Sequence, residues 1–296
     1  SEMKLTHHWS LTVLVAAFVG CFALTATAWA DAYSTAVLAD NPFGYWRMQE
    51  TEGDGVNSGS DATTLQHSAD GITLDFAGPS GDLFPGFDSN NNSTYYSGNT
   101  AGNGFSRIGD ETKPADYAYD MTGALTVETW IKAADVSTTG NRVIMADFHN
   151  TNNHRAFMLY QNGSSLRFSV SGDGATAITL NKSGALTADT WLHVVGVFRP
   201  SEAIELYLNG ELISSNTSDI PASLFNSKYS SYVGAQWTSY NSGSWFQGGI
   251  DEAAIYDTAL SAEQIKNHYD AATVVPEPGS LTLITLGGLL FARRRR

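Results

Sequence analysis

The side chains best suited to chemistry in this sequence are a few carboxylates, and their spacing argues against paired acid catalysis. Asp251 and Glu252 are adjacent, so on an extended strand they point to opposite faces and do not flank one bond as an acid and a nucleophile must. Glu128 has Trp130 and Lys132 at the next two same-face positions rather than a second carboxylate. His149 and His154 fall in loop-prone sequence, and no Gly-x-Ser-x-Gly elbow accompanies them. No catalytic residue is therefore assigned, and recognition becomes the chemistry to look for. The segment 236–245 interleaves rings with amides and hydroxyls, which makes Trp237, Tyr240 and Trp245 the candidate ligand contacts. Binding surfaces combine apolar rings with a few orienting polar groups, and they concentrate in loops.

The elements that must position these residues read almost entirely as strands. Residues 125–131 alternate with period two, placing Leu125, Val127, Thr129 and Ile131 on one face and Glu128 with Trp130 on the other. Further short strands are predicted over 73–77, 142–148, 155–160, 165–169 and 177–180. At 204–213 two apolar runs flank Asn209-Gly210, a pair that tolerates the positive φ angles of a tight hairpin. One helix is predicted, opening at Ser261 with Gln264 three residues on as a capping box and running to about Tyr269. The pattern gives an all-β body of two antiparallel sheets packed face to face, with Trp46, Trp130 and Trp191 filling its interior.

Both ends differ from this body. Lys4, an apolar run over 11–24 and the small-x-small triplet ending at Ala28 and Ala30 read as a secretory signal peptide over 1–30. Cys21, the only cysteine, lies inside it. Residues 17–21 loosely resemble a lipoprotein cleavage box, although lipidation there would leave an apolar start on the mature chain. At the far end, Pro276-Glu277-Pro278 is extended by its two prolines, a short apolar run follows to Ala292, and four arginines close the chain. Basic residues flanking an apolar segment stay on the cytoplasmic side, so the body faces away from the cytoplasm. This three-part tail resembles the PEP-CTERM sorting signal of Gram-negative bacteria over 273–296. The resemblance implies an exosortase as partner, transient anchoring in the inner membrane, and removal of the transmembrane segment.

The whole chain carries a net charge of −14. Leaving Glu2 and Glu277 out of the 30 acids, and Lys4 with the four terminal arginines out of the 16 bases, gives 28 acids against 11 bases in the body. Such a balance excludes nucleic acid as a natural partner. The body contains no cysteine, so its stability must come from its buried core.

The stretches 36–48, 125–132, 190–195, the hairpin at 207–210 and above all 249–261, Gly-Ile-Asp-Glu-Ala-Ala-Ile-Tyr-Asp-Thr-Ala-Leu-Ser, resemble laminin-G-like domains. That resemblance implies a concanavalin A-like jelly roll over 31–272. It also implies a structural calcium ion bound through Asp251, for which Glu50 and Asp54 are the leading additional ligands. Calcium takes six to eight oxygens, so loop carbonyls must complete the shell. Glycosidases of this fold carry Glu-x-Asp-x-(x)-Glu on one strand, an arrangement lacking here. The expected function is an exported carbohydrate-binding or adhesion module of the cell surface or the biofilm matrix, with extracellular polysaccharide or an envelope glycan as partner. An architectural matrix protein without a specific ligand is the competing reading, and a glycoside hydrolase of the same fold the third.

Overall fold

The computed structural model describes residues 31–98, 104–109, 121–149, 153–227, 229–236 and 244–274. In chain order its elements are α1 (Ala32–Ala39), β1 (Gly44–Trp46), β2 (Leu65–His67), β3 (Ile72–Ala77), β4 (Asn92–Ser97), β5 (Ser106–Ile108), β6 (Leu125–Ala133), β7 (Asn141–His149) and β8 (His154–Asn162). They continue with β9 (Ser165–Val170), β10 (Ile178–Lys182), β11 (Trp191–Arg199), β12 (Ala203–Leu208), β13 (Glu211–Asn216), β14 (Ser231–Val233), β15 (Gln247–Tyr256) and α2 (Ala262–Thr273).

All pairings between these strands are antiparallel, and they build two sheets. The first runs β13-β12-β11-β6-β15-β4-β3 with β1 added to β15, and the second runs β10-β9-β8-β7-β14-β5-β2. Strand alternation explains the layering. In β6, Leu125, Val127 and Ile131 enter the core between the sheets, where they meet Leu159 and Phe168 of the second sheet. Trp130 points the other way, into a second cluster with Tyr45 and Tyr256 on the outward face of the first sheet. That face is covered by Tyr33 and Val37 of α1 and by Ile265 and Ala272 of α2. The all-β sandwich expected from the sequence is the fold observed.

Local signals explain where elements begin and turn. Asn209 and Gly210 take φ of 52° and 79° and join β12 to β13. The Ser261 hydroxyl accepts from the Gln264 N–H at 3.2 Å, and the Gln264 amide oxygen accepts from the Ser261 N–H at 2.9 Å. Helix α2 then extends past the expected end near Tyr269, because Ala272 joins Ile265 and His268 on its buried face. Two expectations need correction. Helix α1 was not predicted, yet its N-cap Asp31 accepts from the Ser34 N–H at 3.0 Å, and its apolar face closes the second cluster. His149 and His154 end regular strands rather than lying in a loop, and they pair in register across β7 and β8.

The two helices meet at one peptide unit. The Gly86 carbonyl accepts from the N–H groups of Ala32 at 2.8 Å and Tyr33 at 3.3 Å, while its own N–H donates to Ala272 at 3.0 Å. The start of α1 and the end of α2 are thus fixed at the same place. Among the described residues no helix is long and apolar enough to cross a membrane. The signal segment with Ala28 and Ala30, and the sorting residues Pro276, Glu277 and Pro278 with the apolar run after them, lie outside the described residues.

Candidate functional site

Strand β15 is irregular where its two acids lie. Its register with β6 runs Asp251↔Trp130 and resumes at Ala254↔Glu128, and Glu252 takes φ of 52°. A bulge of this kind interrupts the two-residue alternation, which corrects the expectation that the neighbours point to opposite faces. Asp251 lies opposite Trp130, and Glu252 reaches Tyr45, both on the outward face of the first sheet. Each acid is fully buried. Asp251 accepts from the Asn91 side-chain amide at 2.7 Å and from the Glu252 N–H at 3.0 Å. Glu252 accepts from the Tyr45 hydroxyl and from Arg47 Nε at 3.4 Å, and Arg47 also pairs with Asp31. Burial, reinforced by the neighbouring Glu252 charge, raises the Asp251 carboxyl; burial also raises Glu252, against the pull of Arg47.

Glu50 and Asp54 are engaged elsewhere. Glu50 accepts from the Val56 N–H at 2.8 Å, and Asp54 from the His67 N–H at 3.1 Å. Among the described residues no three His, Cys, Asp or Glu side chains are grouped as a metal ion requires. Asp251, Glu50 and Asp54 as placed do not supply the oxygen shell of a calcium ion.

Glu128, solitary on its strand, is the centre of a second buried network. Its Oε1 accepts from the Tyr33 hydroxyl at 2.9 Å and faces His193 Nε2 at 2.7 Å; its Oε2 accepts from the Tyr256 hydroxyl at 3.1 Å. His268 Nδ1 lies 3.0 Å from both oxygens, and His268 Nε2 lies 3.0 Å from Asp40 Oδ2. A neutral imidazole has only one N–H, so both contacts are hydrogen bonds only when His268 is an imidazolium. Burial opposes that charge, but Glu128 and then Asp40 outweigh it and raise the His268 pKa. Burial alone would likewise raise Glu128, yet His268 and His193 hold it well below the usual carboxylate range. Tyr33 of α1 and His268 of α2 both bond to Glu128 of β6, so this network fastens α1 and α2 to the sheet.

A pH dependence follows. The raised His268 contributes stability that is complete below its unfolded pKa of about 6.5 and is lost as pH rises through the folded value. The depressed Glu128 contributes stability present above the ordinary carboxyl value of about 4.5 and lost only in strong acid. Asp251 and Glu252, raised by burial, also hold protons longer in the folded chain than in the unfolded one, and so weaken the fold as pH rises. Thermal melts from about pH 5 to pH 9 are expected to show the highest melting temperature at the acidic end, with a shallower slope in His268→Gln.

The outward face of the second sheet has a different character. Register places Val143, Tyr160, Arg167 and Asn181 in one row across β7, β8, β9 and β10, and Ala146, Met158, Ser169 and Thr179 in the next. Phe148 and Arg155 pair in a third. Trp245 bridges to Val143, extending the first row, and its ring lies 5.9 Å from that of Phe105. The Arg155 guanidinium lies 5.7 Å over the Phe148 ring and that of Arg167 6.0 Å over Tyr160, an arrangement in which the ring attracts the cation and restricts it. Between these residues is a depression of about 230 Å³, walled by Asn141, Arg155, Ser169 and Thr179 and floored by Phe148, Met158 and Tyr160. A larger depression of about 380 Å³ adjoins Asp173 and Pro221, but Asp173 is consumed by the N–H groups of Ala175 and Thr176 in its own loop.

Of the candidate ligand contacts, Trp245 is half-buried beside this face, while Trp237 and Tyr240 lie outside the described residues. Arg155, Arg167 and Tyr160 were missed from sequence. Their signal was present as polar positions alternating with apolar ones in β8 and β9, but only strand order shows that they share a row.

A two-sheet sandwich of this order has its helices on the outward face of one sheet and, on that of the other, a buried cluster of Val143, Ala146, Phe148, Met158 and Tyr160 flanked by the half-buried Arg155, Arg167 and Trp245. A laminin-G model of the concanavalin A-like lectin/glucanases superfamily matches residues 108–266, more than half of the chain, and the chain belongs to that family. The model of the PEP-CTERM protein-sorting motif matches residues 274–296; the motif implies export, membrane-associated sorting and processing by an exosortase. In shape the chain is similar to the receptor-binding domain of botulinum neurotoxin mosaic serotype C/D, at 13% identity and TM-score 0.57 over 78% of this chain and 51% of that one. The binding domain of Paraclostridial Mosquitocidal Protein 1 gives 14% and 0.57 over 79% and 53%. That of botulinum neurotoxin DC, solved with rat synaptotagmin II, gives 12% and 0.53 over 78% and 52%. The chain spans about half the length of these solved structures, and identity this low shows the fold alone. No curated protein matches the chain in sequence.

Proposed function

We propose that this protein is an exported, non-catalytic module that binds extracellular polysaccharide or an envelope glycan at the surface of a Gram-negative bacterium or in its matrix. The outward face of the second sheet is the binding surface. One observation carries the reading: around a buried floor of Val143, Ala146, Phe148, Met158 and Tyr160, the rows on that face present Arg155, Arg167, Thr179, Asn181 and Trp245, and no carboxylate lies among them. A glycosidase needs two carboxylates across the scissile bond, whereas recognition needs ring faces and convergent polar groups. Four strand spacings from Trp245 to Asn181 span roughly 19 Å, room for several sugars. The ends of the body leave from helices on the opposite sheet, so attachment through the tail is made on the side away from this face. The binding domains of similar shape support a recognition role.

Saturable retention of the protein on purified exopolysaccharide, competed by soluble glycan and without release of reducing sugar, is the expected result. Trp245→Ala is expected to weaken retention about tenfold with an unchanged melt. Robust turnover of any polysaccharide would overturn the reading.

A further inference from the structure

We propose that the glycan bound by the second sheet is acidic, and that Arg155 and Arg167 receive its carboxylate or sulfate groups; the inference rests on the binding reading above. Charge in this protein is segregated. Acids outnumber bases overall, yet the strands of the second sheet carry Arg107, Arg155 and Arg167 on outward rows and no acid there; Arg142 and Lys182 share the row of Leu166, a residue of the core between the sheets. Asp147 is paired in register with Phe157, a residue of the core between the sheets, so it does not face the open side.

The arginines also differ in how they are used. Arg47 pairs with Asp31 and Glu252, Arg142 with Asp135, and Arg199 with Glu205. Arg155 and Arg167 have no carboxylate partner among the described residues. Arg155 donates to the Ala175 carbonyl and Arg167 to the Asn181 side-chain oxygen at 2.8 Å, while the rings of Phe148 and Tyr160 hold the two guanidinium planes. Each guanidinium has five N–H donors, so most remain unused, those of Arg155 at the wall of the depression and those of Arg167 in the neighbouring row. The planar fork matches an oxyanion with two parallel hydrogen bonds. The exposed Thr179 hydroxyl, held 2.8 Å from that of the buried Ser169 between the two arginines, fits the neutral part of a sugar ring.

The net charge of −14 makes the test stringent, since a protein so acidic repels polyanions unless a local site overcomes it. Affinity electrophoresis of the full-length protein in gels containing polygalacturonate, dextran sulfate or neutral dextran separates the possibilities. Retardation by one or both acidic polymers and not by neutral dextran is expected; which polymer is the stronger distinguishes carboxylate from sulfate as the recognised group. Retention should fall as salt is raised. The double variant Arg155→Gln/Arg167→Gln is expected to lose about tenfold or more in affinity at an unchanged melting temperature, and Arg155→Lys/Arg167→Lys to recover only part. Equal retardation by neutral dextran, unaffected by the double variant, would overturn the acidic assignment while leaving the binding reading intact. Indifference to these three polymers and to the purified exopolysaccharide alike would remove both.

Discussion

Glu128→Ala is expected to destabilise the fold by about 3–5 kcal/mol, the cost of stripping one partner from a buried charged pair. The substitution leaves His193, His268 and the hydroxyls of Tyr33 and Tyr256 facing one another in a cluster where water does not replace the lost carboxylate. For a body of this size the melting temperature should fall by about 6–20 °C. Glu128→Gln is a sharper probe. It retains a carbonyl acceptor but supplies no charge to hold His268 as an imidazolium, so the expected loss is smaller and the dependence of melting temperature on pH flattens. If Glu128→Ala melts within 1–2 °C of the parent, the network does not fasten the helices as described.

The second large effect is expected at Gly86. A Cβ on this residue would lie 1.8 Å from the Ala271 carbonyl oxygen and 2.7 Å from its carbon, both backbone atoms of α2. No side-chain rotation relieves such a contact, so the loop and the helix must separate. Overpacking of this kind costs about 1–3 kcal/mol or more. Because Gly86 also accepts from the first N–H groups of α1, Gly86→Ala should loosen both helices together. Hydrogen exchange is the appropriate readout: amides of 32–39 and 262–273 are expected to lose protection while those of β6 and β11 keep theirs. Uniform loss across the sandwich would mean that the helices and sheets unfold as one unit, contrary to this account.

How much of this was legible in the sequence differs by element. The alternation of 125–131, the Asn209-Gly210 turn and the Ser261/Gln264 capping box are each decided by residues within a few positions of one another, and the structure repeats them. Helix α1 is short and contains Thr35 and Val37, which favour helix weakly; it exists because Tyr33 and Val37 bury against Trp130 and Val195, residues remote in the chain. The bulge at Glu252 has no local signature either, and it turned an argument about opposite faces into a buried acidic pair. The row from Trp245 to Asn181 depends on the order β10-β9-β8-β7 and on a bridge from outside that sheet path. Residues 100 positions apart become neighbours through pairing, and no spacing rule along the chain reports that.

The central claim is that the outward face of the second sheet is the binding surface. Backbone amide shifts recorded while the protein is titrated with a retained oligosaccharide test it directly. The account predicts shifts concentrated at Val143, Tyr160, Arg167, Thr179 and Trp245, with those of β6 and β15 unmoved. Shifts centred instead on Asp251, Glu252 and Asn91, at the opposite sheet, would contradict it.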